Sequence, residues 1–129
     1  MITAIDHIVL TVRSLEATCR FYEGALGFRR LDEAGRPTAL LFGTQKFNIH
    51  EVGRTFEPKA RNPTPGSADF CLVTDRPIGE LQHHLESRGI TIELGPVPRT
   101  GARGVMTSLY FRDPDNNLVE VSAYETPDR

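Results

Sequence analysis

The chain lacks any apolar run approaching the roughly 20 residues that cross a bilayer. It also lacks a surplus of either charge, with 15 Lys and Arg against 17 Asp and Glu and a formal net charge of −2. That balance gives no electrostatic footing for nucleic acid or an anionic membrane. Cysteine is scarce. Cys19 and Cys71 each sit among apolar neighbours, so two reduced, buried thiols are expected rather than a disulfide or a nucleophile. The opening stretch Met-Ile-Thr-Ala-Ile-Asp-His has no basic segment followed by an apolar core. No secretory signal is read there, and a cytoplasmic location is expected. Apolar side chains are not lacking. They make up 39% of 129 residues, enough for one domain with a core that needs neither disulfide nor structural metal.

What the chain does have is a repeat. Residues 6–28 begin Asp-His-Ile-Val-Leu-Thr-Val, continue through a helical stretch and end at Gly27-Phe28. Residues 68–90 begin Ala-Asp-Phe-Cys-Leu-Val-Thr, continue through a helical stretch and end at Gly89-Ile90. Superposing the two glycines puts Asp69 opposite His7 without a gap. Such self-similarity constrains the architecture before any single element does.

Ile5 to Val12 is short and aliphatic, so it reads as a strand with Ile5, His7, Val9 and Thr11 on one face. Ser14 suits a helix N-cap, Leu15, Thr18, Cys19, Tyr22 and Leu26 follow one helical face, and Gly27 suits a C-terminal cap. Strands are expected around Phe28–Asp32, Thr38–Phe42 and Phe47–Val52. Residues 53–67 carry three prolines and two glycines without periodicity and read as a connection. In the second copy Phe70–Thr74 is a strand, and Asp75 or Arg76 caps a helix with Pro77 in its first turn. Ile78, Leu81 and Leu85 face the core of that helix, and Ile90–Leu94, Thr107–Phe111 and Leu118–Tyr124 are strands. Gly95–Gly104 reads as a flexible loop bearing Arg99 and Arg103, and Arg112–Asn117 as a turn.

The expected fold class is therefore α+β: two tandem βαβββ modules, curved around a shared cavity. They occupy about 4–53 and 68–125 of a single domain over 1–129, with a connection at 54–67. Neither half buries both faces of its sheet alone, so the two sheets pair, within one chain or between two.

Four side chains carry candidate metal chemistry. His7 and Asp69 hold the same place in the first strand of each copy, and Glu120 lies in the last strand of the second. An ionised carboxylate within Leu118-Val-Glu-Val-Ser122 needs a charged partner or a metal if it points inward. Matching Ile49 to Val119 sets His50 opposite Glu120. Imidazole and carboxylate together suit a divalent Zn, Ni, Fe, Mn or Co. Glu51 has the opposite parity and is expected in solvent. Adjacent His83 and His84 are read as surface or helix-packing residues, and Arg112 as a maker of structural hydrogen bonds.

The stretches Asp6-His-Ile-Val-Leu-Thr-Val12, Phe21-Tyr-Glu-Gly-Ala-Leu-Gly-Phe28 and Tyr110-Phe-Arg-Asp-Pro-Asp-Asn-Asn-Leu-Val-Glu-Val121 resemble the vicinal oxygen chelate superfamily. That group includes glyoxalase I, fosfomycin- and bleomycin-resistance proteins and extradiol dioxygenases. Lys46–Glu51 and Gly95–Ala102 resemble its small glyoxalase-domain, "virulence protein" branch. The resemblance implies a metal held by His7 and Glu120, with Asp69 where His is usual, and with His50 or Asn48 from the remaining strand. It also implies a homodimer.

Three functions follow from the resemblance. One is a metal-dependent lyase or isomerase of glyoxalase type, with Glu120 as its catalytic carboxylate. Its small-molecule substrate would chelate the metal through adjacent oxygens, while Arg99 and Arg103 close over an anionic group. The second is a non-catalytic drug- or metabolite-binding dimer. The third is an Fe(II) dioxygenase, whose usual two-His, one-carboxylate set is broken by Asp69.

Overall fold

Each copy of the repeat folds into the same sequence of elements. A computed structural model of the chain describes residues 1–125, and 126–129 lie outside the described residues. The described residues form two units, Met1–Ser67 with Pro114–Asn116, and Ala68–Asp113 with Asn117 onward.

In the first unit β1 (His7–Val12), α1 (Leu15–Leu26), β2 (Arg29–Leu31), β3 (Thr38–Phe42) and β4 (Gln45–Glu51) form a sheet of order β1-β4-β3-β2. The β1–β4 pair is parallel and the other pairs are antiparallel. Leu10 and Val12 of β1, Leu40 of β3, and Phe47 and Ile49 of β4 are buried, as are Cys19, Tyr22 and Ala25 of α1. The sheet therefore buries one face and leaves the other open. Helix α1 is closed at both ends. Ser14 Oγ accepts from Ala17 N at 3.1 Å and Glu51 Oε2 accepts from Leu15 N at 2.8 Å. Gly27 takes φ 70°, and its N–H and that of Phe28 return to the carbonyls of Glu23 and Tyr22. Glu51 thus has a structural task instead of the solvated one expected: its charge meets the positive end of a helix.

In the second unit β5 (Asp69–Val73), α2 (Ile78–Ser87), β6 (Leu94–Gly101), β7 (Gly104–Arg112) and β8 (Leu118–Tyr124) repeat the pattern as β5-β8-β7-β6. The β5–β8 pair is parallel, and Leu81, Leu85, Leu109, Phe111, Val119 and Val121 are buried. Pro77 itself takes the N-cap position of α2, with no side-chain cap bond from Asp75 or Arg76. His83 and His84 are exposed. Arg112 Nε donates to Glu93 Oε1 at 2.9 Å, a structural pairing as expected.

Three expectations fail in this unit. No strand forms at 90–93; the strand begins at Leu94 and runs to Gly101. The segment Gly95–Gly104 is consequently no flexible loop: Val97–Gly101 pair antiparallel with Gly104–Ser108. Its prolines are tolerated because β6 is the sheet's edge strand, where a missing N–H breaks no ladder bond. Cys71 is exposed, unlike buried Cys19, because its register partner is Glu120 on the open face.

The turn between β7 and β8 is held from both ends. Asp113 accepts from Asn117 N and Nδ2 at 3.0 and 2.9 Å, and Asn117 Oδ1 accepts from Ala68 N at 2.9 Å. In the first unit Asp115 Oδ1 accepts from Arg13 N and NH1, each at 3.1 Å.

Candidate functional site

Register fixes which residues share each open face, since directly paired residues point to the same side. In the first unit one row across the sheet is His7 (β1), Lys46 (β4), Leu41 (β3) and Arg29 (β2). The next is Val9, Asn48, Ala39 and Leu31, and Thr11 with His50 follows. His7 and His50 therefore share a face but lie four residues apart along the strands.

His7 is exposed, and its Nδ1 meets Asp6 Oδ1 at 2.8 Å. With the proton assigned to Nδ1, the lone pair of Nε2 is left free, which is the arrangement a carboxylate imposes on a metal-binding imidazole. His50 is 4% exposed and its Nδ1 has no hydrogen-bond partner. Burial, then the charge of Lys59, pushes its pKa below the ordinary histidine value. Its ring lies 5.5 Å from that of Phe56. A buried, largely neutral imidazole with an idle nitrogen is a possible donor toward a cation.

In the second unit Asp69 pairs with Leu118, Cys71 with Glu120 and Val73 with Ser122. On the other side of β8, Glu120 pairs with Tyr110 and Ser122 with Ser108. Comparing the two registers corrects the alignment made from sequence. The partners of His7 and Asp69 are Lys46 and Leu118, so two residues on, Asn48 is the equivalent of Glu120 and His50 that of Ser122. Ile49 therefore matches Val121 rather than Val119. The sequence leaves His50 or Asn48 open on this strand because the two hairpins differ in length, and the register makes Asn48 the counterpart of Glu120.

Glu120 is half-buried, and its Oε2 accepts from Ser122 Oγ at 3.2 Å. Ser122 Oγ lies 2.6 Å from Ser108 Oγ and 3.1 Å from Cys71 Sγ. Burial raises the Cys71 pKa, so the thiol stays protonated at neutral pH. Asp69 is exposed, at the head of β5.

Arg99 belongs to the open face with Glu120. Its Nε donates to Tyr110 Oη at 2.9 Å, its Nη1 to Pro98 O at 2.9 Å, and its guanidinium lies 5.4 Å from the Tyr110 ring centroid. Arg103, in the β6–β7 turn, lies with its guanidinium 4.2 Å from the Tyr124 ring centroid, and its N–H donates to Tyr124 Oη at 3.2 Å. Both arginines are held against rings instead of riding on a mobile lid. Sequence reasoning missed Tyr110, Cys71 and Lys46. Only the cross-strand register, not local sequence pattern, brings each beside Glu120 or His7.

Among the described residues no group of three or more His, Cys, Asp or Glu side chains is gathered tightly enough to hold a metal ion. Imidazole and amide in the first unit, and carboxylate in the second, are each donor types that suit a divalent cation.

Two four-stranded mixed sheets, a helix with each, and the same order of elements in both define an α+β protein of tandem βαβββ modules. The chain belongs to the Glyoxalase/Bleomycin resistance protein/Dioxygenase superfamily, whose family model matches residues 4–121. It is 50% identical to Virulence protein STM3117 of Salmonella typhimurium over 96% of this chain and 86% of that protein. The crystal structure of that protein superposes with a TM-score of 0.94, covering 96% and 98% of the two chains. A Glyoxalase domain-containing protein, RDO1, of Mycosarcoma maydis is 45% identical over 96% of this chain and 70% of its own length. Lactoylglutathione lyase from Agrobacterium tumefaciens shares the fold at a TM-score of 0.73 and 25% identity, over 95% of each chain. This chain also matches Biphenyl-2,3-diol 1,2-dioxygenase 2 of Rhodococcus globerulus and Glyoxylase I 4 of Arabidopsis thaliana, at 28% and 27% identity over 95% and 93% of its length and 64% and 70% of theirs. No helix among the described residues is long and apolar enough to cross a membrane.

Proposed function

We propose that the chain is a metal-dependent lyase or isomerase of glyoxalase type, acting in the cytoplasm as a homodimer on a small metabolite with two adjacent oxygens. The observation carrying this reading is the matched placement of donor residues in two equally registered sheets: His7 with Asp69, and Asn48 with Glu120. His7, Asp69 and Glu120 would hold a divalent ion, Zn, Ni, Fe, Mn or Co, with Asn48 or His50 as the further donor.

When bound, the ion supplies Lewis acidity, drawing charge from the substrate's paired oxygens. The chain's own residues do the rest. Asp6 orients the His7 ring. Ser122 holds one oxygen of Glu120, and the carboxylate moves a proton between adjacent carbons of the substrate. Arg99, fixed on Tyr110, meets an anionic group of the substrate by paired N–H donors, with Arg103 beyond it.

The test is metal content of protein purified without added metal or chelator, together with calorimetric metal titration of His7→Ala and Glu120→Gln. Stoichiometric metal in the wild type and weakened binding in both variants are expected, by about 10- to 100-fold or more. Equal affinity in all three proteins removes the site. Retained metal without turnover of α-oxo or α-hydroxy compounds favours the binding-protein function instead.

A further inference from the structure

The open face of the first sheet carries two cations, Lys46 and Arg29, that form no ion pair among the described residues. Lys46 sits between His7 and Leu41 in its row, half-buried, and forms no ion pair among the described residues. Arg29, at the end of the same row, also forms none. Beside Lys46, residues of β2, the turn before β3, β3 and β4 line a small, open cavity. Its apolar wall is Leu31, Pro37 and Ala39, and its polar side is Arg36, Lys46 and Asn48. The single acid lining it, Glu33, lies 3.7 Å from Arg36 and offsets that charge. The ammonium of Lys46 is left over. A half-desolvated ammonium without a counter-charge, next to an apolar wall and an amide, is complementary to a small carboxylate with an apolar body.

We infer that this cavity is an anion subsite: Lys46 takes the carboxylate of a small organic acid, Asn48 donates its amide N–H, and the acid's apolar part lies on Leu31, Pro37 and Ala39. Asn48 is itself one of the candidate donors, and His7 is the register partner of Lys46, so the subsite shares its row with candidate donors and narrows the substrate class to hydroxy or oxo acids. The inference rests on the proposed function for that narrowing, but carboxylate binding at Lys46 needs no metal.

The test uses mandelate and its neutral analogue mandelamide as probes, followed by amide chemical shifts of the full chain. Wild type, Lys46→Met and Lys46→Arg are compared, each after chelator treatment and after metal loading. The expected result is saturable mandelate binding with shifts at Ala39, Lys46 and Asn48. Binding should be weaker by about tenfold or more in Lys46→Met, near wild type in Lys46→Arg, and similarly weak for mandelamide. Mandelamide binding as tightly as mandelate, undiminished binding in Lys46→Met, or no saturable mandelate binding by the wild type would each overturn the subsite. Metal affinity measured on the same three proteins separates the two ideas. Its persistence in Lys46→Met leaves the metal reading standing if the subsite fails. Mandelate binding after chelation leaves the subsite standing if the metal reading fails.

Discussion

Aromatic rings fill the first module where aliphatic chains fill the second. Tyr22, Phe28, Phe42 and Phe47 lie with centroids 4.4–5.6 Å apart, some stacked and some edge-on. The second module buries Leu81, Leu85, Leu109, Val119 and Val121 with only Phe111 as a ring among them. The open faces diverge further. His7, Lys46, Asn48 and His50 make the first basic and imidazole-rich, whereas Asp69, Glu120, Ser122 and Cys71 make the second acidic and rich in hydroxyl. Strand order and register are nevertheless the same. A one-residue slip would turn the aliphatic and aromatic set of each strand out of the core, so register is held chiefly by the core face. Side chains on the open faces are under no such constraint and are free to specialise.

The core contrast is tested by truncation. Phe47→Ala removes a ring that is 2% exposed and faces three others. It is expected to cost about 3–5 kcal/mol in urea denaturation. Leu85→Ala, at 0% exposure, is expected to cost about 2–5 kcal/mol and less than Phe47→Ala, because ring pairs add about 0.5–1.5 kcal/mol beyond the area they bury. Equal losses would mean that ring geometry adds nothing to the first module.

The repeat beneath this contrast is legible in the sequence, and the reasons are particular. The Asp6–Val12 and Ala68–Thr74 stretches aligned without a gap, because both strands and both helices keep the same length and pitch of apolar residues. Asp69 is thereby set opposite His7 without any local motif. The β6 strand was not legible, since Pro96, Pro98 and two glycines are loop formers by propensity, and their place on a sheet edge is a tertiary fact. His50 was set against Glu120 because local apolar pattern allowed either of two registers, and only the pairing of β1 with β4 decided between them. Lys46 went unnoticed because a lone lysine on a strand has no signal until its row and cavity are known.

The thiols offer a second, smaller test of the same comparison. Cys19, in α1, is fully buried, and burial pushes its pKa from 9.0 to about 11. Between those values the unfolded chain has lost a proton that the folded chain keeps. Ionisation then favours the unfolded state, so stability is full below about pH 9 and declines as pH rises toward 11, by on the order of 2 kcal/mol at most. Urea denaturation at pH 8 and pH 10.5 should show this decline in wild type and less of it in Cys19→Val. Cys71, exposed on the open face, should be alkylated by iodoacetamide in the folded protein while Cys19 is spared. An alkaline limb unchanged by Cys19→Val, or alkylation of Cys19 as fast as Cys71, would break the contrast.

The helices give the smallest effect. Ser14 Oγ accepts from Ala17 N, so Ser14→Ala leaves an N-terminal amide of α1 unsatisfied. The expected loss is about 1 kcal/mol, within the 0.5–2 kcal/mol typical of such caps. Glu51, which accepts from Leu15 N, remains and keeps the loss from being larger. Helix α2 begins at Pro77 with no side-chain cap bond, so the complementary change is Pro77→Ser, which offers the hydroxyl α2 lacks. Its gain is opposed by the freedom that removing a proline returns to the unfolded chain, about 0.4–1 kcal/mol. The net change is therefore expected within about 0.5 kcal/mol of zero. Thermal denaturation of the two variants beside wild type measures both. If Pro77→Ser stabilised by as much as Ser14→Ala destabilises, α2 would be limited by its missing cap. If both were neutral, the helices would be held by packing alone and the capping difference between the modules would carry no weight.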